Sequence, residues 1–214
     1  EIIASLEVDG GIATISQCAR KLLAIRGSNA EGQQRLRNAL TLVRVAVETD
    51  QATDQLMTTS RPSDDQAVLI ALTAVDPSLE SDTVPADPLA RTRAVRELAA
   101  IVAQAVEDQE TPLRPMPALS LVTDNPASEA TGIADPVRRL RLAADASPTA
   151  AVSTRGELYR RGLAPEHSVA AVLTGNHGLP VMSDDRLRDN VAARFPQAAA
   201  LPARPALDAL VSAA

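Results

Sequence analysis

Along the first third of the chain the hydrophobic positions recur at helical spacing. In residues 14–26, TISQCARKLLAIR, the side chains Ile15, Cys18, Ala19 and Leu22 fall at i, i+3, i+4 and i+7, one apolar stripe. Thr14 precedes the stripe and Gln17 stands three residues on, the spacing of a capping box, and Gly27 is placed to close the helix. Cys18 then belongs to the core. After the turn GSNAEG, residues 32–49 form a second predicted helix with Leu36, Leu40, Val43 and Val47 on one face. Two packed helices joined by such a turn make a helix-turn-helix. DQLMTTS and AVLIALT follow as β-prone runs on either side of RPSDDQ, which predicts two antiparallel strands around a turn. Ile12 and Ala13, after Gly10 and Gly11, supply a small third strand, and the resulting order is that of a winged helix.

The pattern then breaks at Pro77, Pro85 and Pro88, and Asp87 with Pro88 offers an N-cap and first helical position for a connector helix to about Gln109. From Glu110 to Asp135 the prolines at 112, 115, 117 and 126 exclude a continuous helix and predict an irregular, partly mobile linker. Asp135 and Pro136 start a helix over PVRRLRLAADA, and TAAVS suits a short strand. Thr154 and Glu157 are spaced as a second capping box, for a short helix to about Arg161. Further helices are expected from Pro165 to near Gly175, over 184–194 and over about 205–213. The predicted fold is mainly α: two tandem winged-helix or helix-turn-helix-like modules with small β-hairpins, residues 1–75 and 135–214, joined by the connector helix and Pro-rich linker of 76–134. The opening EIIASLEVDGG reads as the tail of a helix already under way, which predicts a longer parent protein.

Composition narrows the functions. Hydrophobic residues make up 45% of the 214, yet Tyr159 and Phe195 are the only aromatics and Trp is absent. The core is therefore aliphatic. Modules that bind single-stranded nucleic acid stack bases on aromatic rings, so that class is not expected. Cys18 is the single cysteine, which excludes an internal disulfide, and with only His167 and His177 no Cys/His zinc cluster can be assembled. Neither a metal nor a cofactor is expected. No apolar run reaches the roughly 18 residues of a membrane span and no basic n-region followed by an apolar h-region occurs, so a cytoplasmic location is expected. The net charge of −6 is uneven: residues 133–214 carry 10 basic and 8 acidic groups, and the rest of the chain is acidic. DNA contact must then come from a local patch rather than a broad positive field.

Three stretches are candidates for that patch. In the helix over 184–194, turning Leu187 and Val191 inward points Asp185, Arg186, Asp189 and Ala193 outward, an acidic face that suits a structural helix. Asp184 and Arg188 are spaced as a favourable i, i+4 pair. The helix over 32–49 instead displays Gln34, Arg37, Asn38 and Thr41, side chains able to donate to base edges or phosphates. Leu42 and Val45 leave its core stripe, which points to a cover on a second side. Arg138, Arg139 and Arg141 crowd the first turns of the helix after Asp135, and Arg155, Arg160 and Arg161 follow nearby in sequence. These six form one basic patch or cover apolar surface with their stems. Chemistry is sparse. No Gly-rich nucleotide loop or kinase signature occurs, GNHG at 175–178 is a short turn, and no Ser or Cys is spaced to use His167 as a base. The chain is not expected to be an enzyme.

STRGELYRRGLAPEHSVAAVLTG followed by DRLRDNVAARFPQAAALPARPALDAL resembles the C-terminal region of actinobacterial PglW-type serine/threonine kinases of BREX (phage growth limitation) defence systems. The match lies in RGELYRRG, then RFP, LP and RPALDAL at similar intervals, and ISQCARKLLAIRGS with LRNALTLVRVAVETD is similar to the helical segment upstream. The resemblance is strongest after Ser153 and rests on helix-packing patterns. It implies a regulatory or targeting part outside the kinase domain, with no kinase active-site residue in this chain. The expected function is a non-catalytic interaction or DNA-targeting region of a phage-defence kinase, with a protein or duplex DNA as partner. The alternative is a stand-alone winged-helix transcriptional regulator that reads duplex DNA with the 32–49 helix.

Overall fold

A computed structural model describes residues 11–22, 35, 56–59, 69–72, 87–174 and 182–214. Strand β1 (Ile12–Thr14) runs directly into helix α1 (Ile15–Leu22), and strands β2 (Leu56–Thr59) and β3 (Leu69–Leu72) pair antiparallel. Ile12 lies opposite Ala71 and Thr14 opposite Leu69, so β1 joins the far edge of β3 and the sheet order is β1-β3-β2. The hairpin and its small third strand stand where the hydrophobic pattern puts them. Around α1 the capping box forms: Thr14 Oγ1 accepts from the Gln17 amide at 3.1 Å, and Gln17 Oε1 accepts from the Thr14 amide at 3.3 Å. Ile15, Cys18 and Ala19 are buried as one stripe. Gly27 and the expected 32–49 helix, apart from Arg35, lie outside the described residues.

Helix α2 (Pro88–Glu107) is the centre of the molecule. Asp87 caps it by accepting from the Leu89 amide, and Pro88 takes the first position, where no intrahelical N–H is needed. Leu98, Val102 and Val106 recur every fourth residue and are fully buried, while Val95 and Ala99 bury a second face. The first face packs on helices α3 (Pro115–Thr123), α4 (Ala127–Ala130) and α5 (Pro136–Ala146), through Ala118, Val122, Ala127, Leu140 and Ala143. The second meets Ile12, Ile133, Leu142 and Ala146.

Helices α3 and α4 correct the expectation of an irregular linker over 110–135. The prolines there do not interrupt a helix. Pro115 and Pro117 lie in the first turn of α3, where a missing N–H costs nothing, and Pro126 precedes α4. Arg139 fastens this stretch to α5, donating to the Val122 carbonyl at 2.7 Å and twice to that of Ile133.

Strands β4 (Ala150–Val152) and β5 (Leu158–Arg160) form a second antiparallel pair, and its alternation divides the core. Ala150 and Leu158 face the α2 cluster, whereas Ala151 and Tyr159 face Val169, Val172, Leu187, Val191 and Phe195. Those residues belong to helices α6 (Pro165–Thr174) and α7 (Asp184–Arg194) and the chain just after, and helix α8 (Ala206–Ala213) adds Leu207. Here the expected short helix from Thr154 to Arg161 is a turn and a strand. Ser153 Oγ accepts from the amides of Arg155 and Glu157, and Gly156 takes a φ of +83°, which a helix cannot accommodate. Helix α7 follows its sequence pattern: Ser183 caps it, Leu187 and Val191 are buried, and Asp185, Arg186, Asp189 and Ala193 are exposed. Its Asp184 pairs with Arg204 rather than Arg188, because the Arg188 fork is taken by the carbonyls of Leu201 and Pro202 at 2.9 and 2.5 Å.

Candidate nucleic-acid interface

Two polar stripes face one another across an open cleft. On α5 the buried side uses Leu140, Leu142, Ala143, Ala144 and Ala146, which leaves Arg138, Arg141 and Asp145 at i, i+3 and i+7 on one other face. Asp135 fixes where that face begins by capping the helix through the Val137 amide at 2.9 Å. On α1 the capping box sets the register, and Gln17, Arg20 and Lys21 follow at i, i+3 and i+4. Arg20 and Lys21 lie in the last turn, where the negative end of the helix dipole favours cations. The stripes are joined at their base: Gln17 Nε2 donates to Asp145 Oδ2 at 2.8 Å, across 128 residues of sequence. Arg138 also reaches β1, where Nη2 lies 3.5 Å from the Ile12 carbonyl.

The cleft encloses about 710 Å³, and its far wall is Val152, Ser153, Thr154, Pro196 and Gln197. Among the described residues four cations and one acid line it. A small-molecule site carries a few placed polar groups, and this lining is set apart by the number of its charges. Burial pushes the Asp145 carboxyl above the ordinary carboxylate range, although the Gln17 hydrogen bond and the charges of Arg161, Arg20 and Arg141 pull against it.

The six arginines, expected either to form one patch or to cover apolar surface with their stems, are separated. Arg138 and Arg141 line the cleft. Arg139 is engaged on the carbonyls described above, and burial lowers its pKa against the pull of Asp135 and Glu129. Arg161 donates to the carbonyls of Ala150 and Ala144 at 2.8 and 3.0 Å. Arg155 is exposed beside a small hollow of about 190 Å³ shared with Asn190 and Arg194. Arg160 lies on a different cleft of about 620 Å³, among Glu107, Asp108, Glu110 and Glu166, where His167 Nε2 stands 3.9 Å from Glu110 Oε2. Gln34, Arg37, Asn38 and Thr41 lie outside the described residues. Sequence reasoning missed Arg20 and Lys21. The signal was present, since both follow Gln17 on the polar side of a helix whose start the capping box defines.

Among the described residues no group of three or more His, Cys, Asp or Glu side chains is placed to hold a metal ion, and no helix is long and apolar enough to cross a membrane. No protein-family model, curated protein or solved structure matches the chain.

Proposed function

We propose that this chain is a non-catalytic DNA-targeting region that lays the phosphate backbone of duplex DNA across the basic cleft between α1 and α5. The observation that carries the reading is the meeting of Arg20 and Lys21 with Arg138 and Arg141 on one open surface. Phosphate contacts supply most of the affinity of a protein for DNA, and they need cations held in register more than a large net charge. Duplex fits better than single strand. Tyr159 and Phe195 are both 1% exposed and pack edge to face at 5.3 Å, so neither offers a platform to a base. The sequence resemblance supports the further reading that the region targets a phage-defence kinase of the cytoplasm.

A second reading, a stand-alone regulator, draws on the first sheet. A helix between β1 and the hairpin, with sheet order β1-β3-β2, suits a winged-helix unit. Electrophoretic shift of a mixed-sequence duplex separates the two. The backbone-contact reading predicts binding that ignores sequence and is lost in Arg20→Ala/Lys21→Ala and in Arg138→Ala/Arg141→Ala. Sequence-selective binding lost in Arg37→Ala/Asn38→Ala, with the cleft variants intact, favours the regulator instead.

A further inference from the structure

The cleft contains a group that works against its own charge. Among the described residues Asp145 is the acid that lines it, and it stands on the same face of α5 as Arg138 and Arg141. Its position is fixed. Gln17 grips Oδ2 at 2.8 Å and is itself fixed by the capping box, so the carboxylate cannot turn away when a partner arrives. A carboxylate held beside arriving phosphates weakens their binding, and nothing in the fold requires a charge at this point, since a neutral amide would accept the same Gln17 hydrogen bond.

We propose that Asp145 regulates this cleft: charged, it opposes an incoming phosphate, and neutral, it withdraws that opposition. The inference rests on the duplex-binding reading of the same cleft. The charged groups that face Asp145 are Arg20 and Lys21 from α1, Arg138 and Arg141 from α5, and Arg161 after β5. Among the described residues the wall opposite adds none, being Val152, Ser153, Thr154, Pro196 and Gln197. Tyr159 also feels Asp145, but burial holds its hydroxyl up to about 12. Arginine and lysine keep their charge below about pH 9, so of these groups Asp145 is the one able to change charge between about pH 8 and pH 5. Burial raises it toward that range. Reciprocity follows: if neutral Asp145 favours phosphate, bound phosphate favours neutral Asp145, and binding takes up a proton.

The test is fluorescence anisotropy of a labelled duplex at fixed ionic strength from about pH 8 to about pH 5. Wild-type affinity is expected to rise about ten-fold as the pH falls, the change that one pKa unit of coupling implies. Asp145→Asn should bind at pH 8 as tightly as wild type does in acid, with a flat profile. Gln17→Leu, which removes a donor that favours the charged carboxylate, should move the wild-type midpoint to higher pH. Should Asp145→Asn fail to fold, the wild-type profile and its displacement in Gln17→Leu decide the matter, and a flat wild-type profile overturns the proposal. Duplex binding with the same affinity and pH profile in wild type and Asp145→Asn overturns the regulation and leaves the duplex reading standing. Absence of binding in every variant at every pH overturns both.

Discussion

Arginine does opposite work at different points of this chain, and the difference lies in what its fork can reach. Arg194 is held by Glu157 through Nε at 3.0 Å and Nη2 at 2.5 Å, and by the Ala171 carbonyl through Nη1 at 2.6 Å. Both side chains are 13% exposed. Burial alone raises the Glu157 carboxyl, but hydrogen bonds from Arg194 and Ser153 outweigh it and hold the group below its usual value. A carboxylate depressed in the folded state gives stability that is present above its unfolded pKa and lost as pH falls through the folded one. Arg194→Ala is expected to cost about 3 kcal/mol in denaturant unfolding at pH 7, with a smaller difference from wild type in strong acid. Lysine at 194 should recover only part, because it cannot fork. Asp145 carries the opposite sign. Its carboxyl is raised, so folding is penalised at neutral pH, and Asp145→Asn is expected to raise the melting temperature at pH 8 but not near pH 4. Two glycines also test residue-scale geometry. A Cβ at Gly156, whose φ is +83°, would lie 3.7 Å from Pro115 Cβ, and one at Gly162, at +72°, would meet nothing within 4 Å. Neither position is crowded, so alanine at each should cost about 1 kcal/mol through the backbone alone, measured by denaturant unfolding. A far larger loss at 156 would make sterics the cause.

The elements repeat a lesson about proline. Helices α1, α2, α5, α6 and α7 are legible because apolar positions and a recognisable start coincide: a capping box at Thr14, Asp87 with Pro88, Asp135 with Pro136, Pro165, and Ser183. Around 110–135 the number of prolines predicts a break, whereas each of Pro115, Pro117 and Pro126 marks a beginning. What decides is where Pro115 and Pro117 fall in the first turn of α3, and that depends on Ala118 and Val122 finding a surface on α2, a tertiary fact no local pattern contains. Position therefore matters more than count. Replacing Ser120, exposed and in the interior of α3, by proline should cost about 3 kcal/mol, seen as lost helical ellipticity and a lower unfolding midpoint. Pro117→Ala should change both little. The Thr154–Glu157 stretch failed for a related reason. A capping-box spacing is satisfied equally by Ser153, whose hydroxyl holds two amides of a turn, and Gly156 then turns the chain into β5.

At the scale of the whole molecule, α2 unites elements that the sequence kept apart. Leu98 and Val102 on one face and Val95 and Ala99 on the other reach α3, α5 and β1. This packing brings the stripes of α1 and α5 to one cleft. Half of the basic site was legible, as Arg138 and Arg141. The other half was not, because pairing Arg20 and Lys21 with them needs the Gln17 to Asp145 contact across the chain. The most direct test is the salt dependence of duplex affinity. With four cations neutralising phosphates, log K against log salt should fall with a slope of about −3 to −4. Arg138→Ala/Arg141→Ala should flatten the slope by about 2, while Arg155→Ala/Arg160→Ala leaves it unchanged. No binding at low salt, or an equal slope in the two double variants, would contradict the account.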